Sequence, residues 1–199
     1  MRVFSYVVVS DSGFAPNPFH GQCTLASCKP LIRRSAEPGD LVVGLSSRCE
    51  HVVYAMRVGR VLDFDAFWSD ELAAAKRPMM TTNKVRDRRG DNFYEPLPGG
   101  GFRQHPSLHT NEDGTENQKH LRRDLGGEHV LVGDRFAYFG KDGPPLPSEL
   151  AFLRAGRGHR CKFSAEQVRV VSDWFERLPQ GLRGRPARWP ADDSSWKDP

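Results

Sequence analysis

Two thiols, one imidazole and two carboxylates are the side chains of this sequence best suited to covalent chemistry. Four residues separate Cys23 from Cys28, and Cys28 comes just before Pro30, where a short helix is expected to begin. A thiol reacts as its thiolate, so a cysteine nucleophile needs a nearby base, a positive environment or a helix N-terminus. His109 titrates near neutrality. With Asp91 and Asp124 it makes the acid–base set such a nucleophile uses. In this reading Cys23 or Cys28 attacks, and His109 or Asp91 moves the proton. The competing reading makes both cysteines packing residues, with Cys28 at the helix entry. His20, Cys23, Cys28 and Cys49 lack the second closely spaced pair of a structural zinc site, so no metal is expected.

Binding chemistry is concentrated elsewhere. Lys84, Arg86, Arg88 and Arg89 precede Gly90-Asp91-Asn92-Phe93-Tyr94-Glu95. Such a cluster suits phosphate, and Phe93, Tyr94 and Phe102 suit stacking on an exposed base. A solvated loop with ordinary aromatics is the alternative. A second basic set is Lys119, His120, Arg122 and Arg123, adjoining Asp124. A third, Arg154, Arg157, His159, Arg160 and Lys162, contains no acid. The chain has no P-loop, no Gly-x-Ser-x-Gly elbow and no His-Glu-x-x-His pair. Gly99-Gly100-Gly101 lacks the flanking strand and helix of a dinucleotide loop. An ordinary kinase or hydrolase gains no support.

The elements that must position these groups are short. Val3 to Ser10 reads as a first strand. Pro30 opens a helix over 31–36, and the Pro38-Gly39-Asp40 turn launches a strand over 41–45. A long strand is expected over 51–62, with Gly59 as a bulge. A helix follows over 63–75, capped by Asp63 or Asp65. Lys76 to Gly127 carries ten basic, seven acidic and only ten hydrophobic residues. It reads as one long functional or mobile loop. Strands return at 129–133 and 135–140, then a short helix at 148–154 and a strand around Cys161 and Phe163. Ser164 with Gln167 has capping-box spacing and opens the strongest helix. Six strands and three or four helices in irregular order give an α+β class. The expected architecture is a small curved mixed sheet or pseudo-barrel, flanked by helices.

The chain has 199 residues, which suits one domain, here expected over 1–178 with a Pro- and Arg-bearing tail over 179–199. Its net charge of +4 and pI near 9.0 favour polyanionic partners without requiring them. At 38% hydrophobic and 27% charged, it can build a core, which excludes global disorder. No apolar run is long enough to span a bilayer, and Asp11 interrupts the only stretch resembling a leader. Four cysteines are too sparse for a disulfide scaffold, so free thiols and a cytoplasmic location are expected.

Certain blocks belong together. Asp11-Ser-Gly-Phe-Ala-Pro-Asn-Pro-Phe-His-Gly-Gln-Cys-Thr-Leu-Ala-Ser-Cys-Lys-Pro30 is followed by Ile32-Arg33 and Gly39-Asp40-Leu-Val-Val-Gly44. Later come Gly90-Asp91-Asn92-Phe93-Tyr94, Val130-Leu131 and Phe136-Ala-Tyr-Phe-Gly140. This combination resembles the second of the nucleotide modification associated domain families, described as DNA base hypermodification proteins, over roughly residues 2–178. The resemblance implies association with DNA carrying modified bases. It brings no catalytic role and no cofactor. Its matched polar positions are Asp11, Asn17, Cys23, Thr24, Cys28, Lys29, Arg33, Asp91, Asn92 and Tyr94. A looser likeness is to base-binding PUA-like domains of the EVE and ASCH group, a fold-level analogy over Val3 to Leu62.

The leading expectation is a domain that binds DNA or a nucleotide and recognises or helps install a modified base. Asn17 and Asn92 would read base edges, Phe93 or Tyr94 would stack, and Arg33, Lys84 and Arg88 would hold phosphate. The alternatives are an enzyme using the Cys/His/Asp groups on a nucleotide or DNA base, or a basic adaptor for a protein partner.

Overall fold

The computed structural model describes residues 1–197. Three strands and a helix come first: β1 (Val3–Val7), β2 (Cys23–Leu25), α1 (Pro30–Ser35) and β3 (Leu41–Leu45). The sequence then alternates β4 (Val52–Arg57), β5 (Arg60–Asp63), α2 (Phe64–Ser69), α3 (Glu71–Ala74) and α4 (Val85–Arg88). A hairpin, β6 (Tyr94–Pro96) and β7 (Phe102–Gln104), precedes α5 (Gln118–Leu125). Next come β8 (His129–Gly133) and β9 (Arg135–Tyr138), two 3-10 turns, β10 (His159–Arg160), α6 (Ala165–Glu176) and β11 (Gly181–Leu182).

The strands form a mixed six-stranded sheet ordered β10-β1-β3-β4-β9-β11, a three-stranded sheet ordered β2-β8-β5, and the β6–β7 pair. The fold is α+β, as the patterning implies. Among the described residues the sheets remain separate ladders and none closes into a barrel, so the pseudo-barrel alternative is replaced by the open mixed sheet.

Period-2 patterning in β1 sorts its side chains between two cores. Val3 and Val7 join Val43, Leu45, Ala55 and the α6 residues Val171 and Phe175 on one face. Phe4, Tyr6 and Val8 join Val42, Tyr54, Met56 and Leu131 on the other. Burying Val171 and Phe175 is worth about 1.5–3 kcal/mol each, which fixes α6 on the sheet. Gly44 is required at the bulge between Gly44 and Leu45: a Cβ there would stand 2.3 Å from the Tyr54 ring.

Several expected elements divide. The strand over 51–62 breaks at Val58 and Gly59, so β4 and β5 enter different sheets. The helix over 63–75 is interrupted by Asp70, whose carboxylate caps Ala73 N–H and restarts the turn as α3. The strand expected around Cys161 and Phe163 lies instead at His159–Arg160. The capping box of Ser164 and Gln167 is present as expected.

The long loop is ordered. It contributes α4, β6, β7 and α5 and supplies Phe93 and Tyr94 to a third core with Phe14, Phe64 and Phe67. Residues after 178, expected as a tail, add β11 parallel to β9 and bury Trp189 against Phe19 and Val85. Among the described residues no helix is long and apolar enough to cross a membrane.

Candidate functional site

Cys28 ends the polar stretch that follows β2, immediately before α1. Both Cys28 and Lys29 adopt left-handed backbone, at φ 58° and φ 39°. Two successive non-glycine residues in that region are strained, at a cost of about 1–3 kcal/mol each, and must be held by their surroundings. Two groups hold them. The Cys28 N–H donates to Asp124 Oδ1 at 2.9 Å, and Arg33 Nε donates to the Cys28 carbonyl at 2.8 Å.

Arg33 is fully buried. Its guanidinium also donates to the carbonyls of His129, at 2.7 Å, and of Asp124. Gly127 makes room for it, since a Cβ there would stand 2.3 Å from the guanidinium carbon. The planar five-donor fork of arginine suits such a clamp in a way lysine cannot.

Asp124 reaches the site because Asn117 caps α5, accepting from the Lys119 and His120 amides. Leu121 and Leu125 face the third core, and Asp124 lies three residues from the first and one from the second. Its side chain is completely buried. Oδ2 pairs with His109 Nδ1 at 2.6 Å and accepts the Tyr94 hydroxyl at 3.0 Å. Oδ1 accepts from Cys28 N–H and from Arg123 Nε at 3.2 Å.

His109 then turns its other nitrogen to the thiol, with Nε2 3.9 Å from Cys28 Sγ. Its ring is held edge-on by Phe14 and His120, with centroids 4.7 and 4.3 Å away. The result is a Cys28–His109–Asp124 relay in which each group orients the next.

The electrostatics ease proton transfer from Cys28 to His109. Burial opposes the Cys28 thiolate, but the hydrogen bond and charge of His109, aided by Arg123, overcome it and lower the thiol pKa. Burial likewise opposes the His109 cation, and the Asp124 and Cys28 contacts outweigh it, raising the imidazole. Asp124 is lowered despite burial by His109, the Cys28 amide and Arg123. A thiol whose ionisation is eased by an adjacent, oriented imidazole is the arrangement nucleophilic catalysis uses.

Cys28 opens onto a cleft of about 300 Å³ lined by Tyr6, Val8, Ser10, Lys29 and Arg123 among others. That volume is at the small end for ligand sites. Lys29 Nζ lies 4.5 Å from the centre of the Tyr6 ring, and burial lowers its pKa.

Of the residues expected to act, Cys28, His109, Asp124, Lys29, Arg33 and Tyr94 come together here. The others do not. Cys23 is fully buried in the second core, and burial pushes its thiol far up. Asp91 lies in a separate buried cluster, accepting Thr24 Oγ1 at 2.6 Å; burial raises its carboxyl to about 6, against the charge of Lys76.

Asn17 and Asn92 have their amides turned inward. Asn17 bonds the Arg89 carbonyl and Lys76 Nζ, and Asn92 bonds the carbonyls of Phe67 and Ala73. Phe93 is buried against Phe14, so it packs rather than stacks on a ligand. Asp11 accepts the Ala187 N–H at 2.8 Å and the Tyr138 hydroxyl, tying down the C-terminal segment. Lys84 is exposed and Arg88 half-buried, and neither lines the cleft.

Arg33 and Tyr94 occupy the site in other capacities than expected: the one clamps backbone carbonyls and the other supports Asp124. Asp124, expected as an acid–base partner of His109, does pair with it, whereas Asp91 does not. Arg123 was visible only as one member of the Lys119–Arg123 basic set, and the structure pairs it with Asp124 at the site. Among the described residues no three His, Cys, Asp or Glu side chains gather as a metal-holding group.

The model of the family described as nucleotide modification associated domain 2 matches residues 1–193. No curated protein and no solved structure matches the chain.

Proposed function

Because the chain belongs to the nucleotide modification associated domain 2 family, we propose that it is an enzyme of nucleotide or nucleic-acid base modification working through the Cys28 thiolate. The observation that carries this reading is the relay itself: Sγ to Nε2 at 3.9 Å, then Nδ1 to Oδ2 at 2.6 Å, opening on a cleft. A packing cysteine needs no oriented imidazole, and a buried Asp–His pair needs no thiol.

The chemistry follows from the geometry. His109 Nε2 takes the Cys28 proton, and Sγ forms a bond to an electrophilic carbon of the substrate. The imidazolium returns that proton to the departing group. A second nucleophile, deprotonated by Nε2, then breaks the S–C bond and restores the thiol. Asp124 keeps Nδ1–H in place throughout and stabilises the cation without itself being protonated. The role envisaged from the sequence for Asn17, Asn92 and Phe93, reading and stacking on a base, has no support in their inward packing. Base contact falls instead to the cleft walls.

The test is adduct formation. Wild-type protein incubated with nucleotides, and with oligonucleotides carrying unmodified or hypermodified pyrimidines, is acid-quenched and peptide-mapped. The expected result is a substrate-derived mass on Cys28 that is absent in Cys28→Ser, with turnover abolished in that variant. Product formation by Cys28→Ser at the wild-type rate would overturn the proposal.

A further inference from the structure

The sequence stretch Arg154 to Lys162 carries four cationic side chains, Arg154, Arg157, Arg160 and Lys162, and no carboxylate. Its charge of +4 equals the net charge of the whole chain, 29 − 25 = +4. All four are exposed. Among the described residues none of the four is in an ion pair. Several arginines elsewhere are neutralised: Arg57 and Arg135 by Glu176, Arg60 by Asp70, Arg34 by Glu128. Arg160 donates to the Arg154 carbonyl at 3.3 Å and lies over the Phe163 ring, but like charges without a carboxylate repel one another, so their concentration on one ribbon calls for a ligand.

The fold places this ribbon beside the candidate site. β10 pairs antiparallel with β1, setting His159 opposite Tyr6 and Arg160 opposite Ser5. Tyr6 and the residues after it form a wall of the Cys28 cleft. A second hollow, of about 190 Å³, lies between the start of α1 and Gly158–His159. Lys29 lines both hollows. Arg123 and Lys29 therefore flank the Cys28 cleft, and Lys29 shares the second hollow with Gly158 and His159, at the edge of the exposed arginines.

We propose that this ribbon is the backbone track of a single-stranded polynucleotide, whose phosphates lie along Arg154–Lys162 while one base enters the Cys28 cleft. The inference rests on the thiolate reading above and extends it from a nucleotide to a polymer. A free nucleotide needs at most the cations at the cleft mouth, Lys29 and Arg123, and leaves the ribbon idle. A duplex cannot present a base to a thiol recessed in a cleft unless the base is first unpaired and extruded. A single strand meets both constraints, with charge from the ribbon and access from the unstacked base.

The experiment is an anisotropy titration of a labelled single-stranded oligonucleotide over a salt series, comparing wild type with Arg157→Ala/Lys162→Ala. These two side chains are exposed, so the variant is expected to fold normally. Each lost phosphate contact on a single strand removes about 0.7 from the slope of log affinity against log salt. The double variant should lose about 1.4 of slope, which is roughly 25-fold in affinity near 0.1 M salt. Lys141→Ala, whose charge Asp142 offsets, should match wild type.

Iodoacetamide alkylation of Cys28 is measured in parallel as a readout independent of the ribbon, and should be unchanged in the double variant. An unaltered slope with intact alkylation overturns the track and leaves the thiolate reading standing. Reaction with a mononucleotide but no binding of the oligonucleotide does the same. A reduced slope in a protein whose Cys28 is inert sinks the thiolate reading and supports the ribbon as a nucleic-acid surface.

Discussion

Replacing His109 by Gln separates a catalytic thiol from a packing one. The 3.9 Å between Cys28 Sγ and His109 Nε2 corresponds to an attraction of about 4 kcal/mol between unit charges at an effective dielectric of ~20. Solvent at the cleft mouth screens part of this, and the net value of a hydrogen bond to a charged partner is about 1.5–3 kcal/mol. At the lower bound, losing His109 cuts the thiolate population near neutrality about tenfold. What remains around the thiol is unfavourable: burial and the Asp124 charge both oppose ionisation, and only Arg123 assists it. The assay is the iodoacetamide alkylation rate of Cys28, followed by mass spectrometry from acid to alkaline pH. The exposed Cys161 of the same sample serves as internal reference. Wild-type Cys28 should outpace Cys161 below neutral pH. In His109→Gln the ratio should fall about tenfold or more near neutrality, and the two proteins should converge at alkaline pH, where the thiol ionises regardless. An unchanged ratio refutes the relay. So does an equal fall at every pH, which reports occlusion of the thiol rather than loss of a base.

Three further outcomes follow from the packing around the site. Tyr94→Phe removes one donor to Asp124 Oδ2; chemical denaturation should show a loss of about 1.5 kcal/mol, with Cys28 alkylation falling less than in His109→Gln. Gly127→Ala forces a Cβ against the locked Arg33 guanidinium, so it should cost about 1–3 kcal/mol and slow Cys28 alkylation by releasing its carbonyl; wild-type melting and alkylation together would contradict the clamp. Asp91 has a carboxyl raised from 3.8 to about 6 by burial, so the folded chain holds its proton more tightly than the unfolded one. The stabilisation this provides is full below the unfolded value and is lost as pH rises through about 6, a swing of about 3 kcal/mol. Thermal melts of wild type and Asp91→Asn should therefore differ most in favour of wild type at acid pH, and a pH-independent difference would disprove the burial argument.

Local rules made much of this protein legible from its residues. The capping box of Ser164 and Gln167, the Pro30 helix start, the β3 strand and the period-2 split of β1 depend on neighbours within a few positions, and all are present. The α+β class followed from their irregular order, and the family from the Asp11–Pro30 block. Cys28 and His109 were visible as chemistry without an address, since 80 residues of sequence separate them. Tertiary structure decided the address. α5 carries Asp124 under His109, and Arg33 and Asp124 together hold Cys28 in a left-handed turn. The same folding removed Cys23, Asn17, Asp91, Asn92 and Phe93 from the surface. A polar side chain reads alike whether it faces a ligand or a buried carbonyl, and only long-range packing determines which partner it meets.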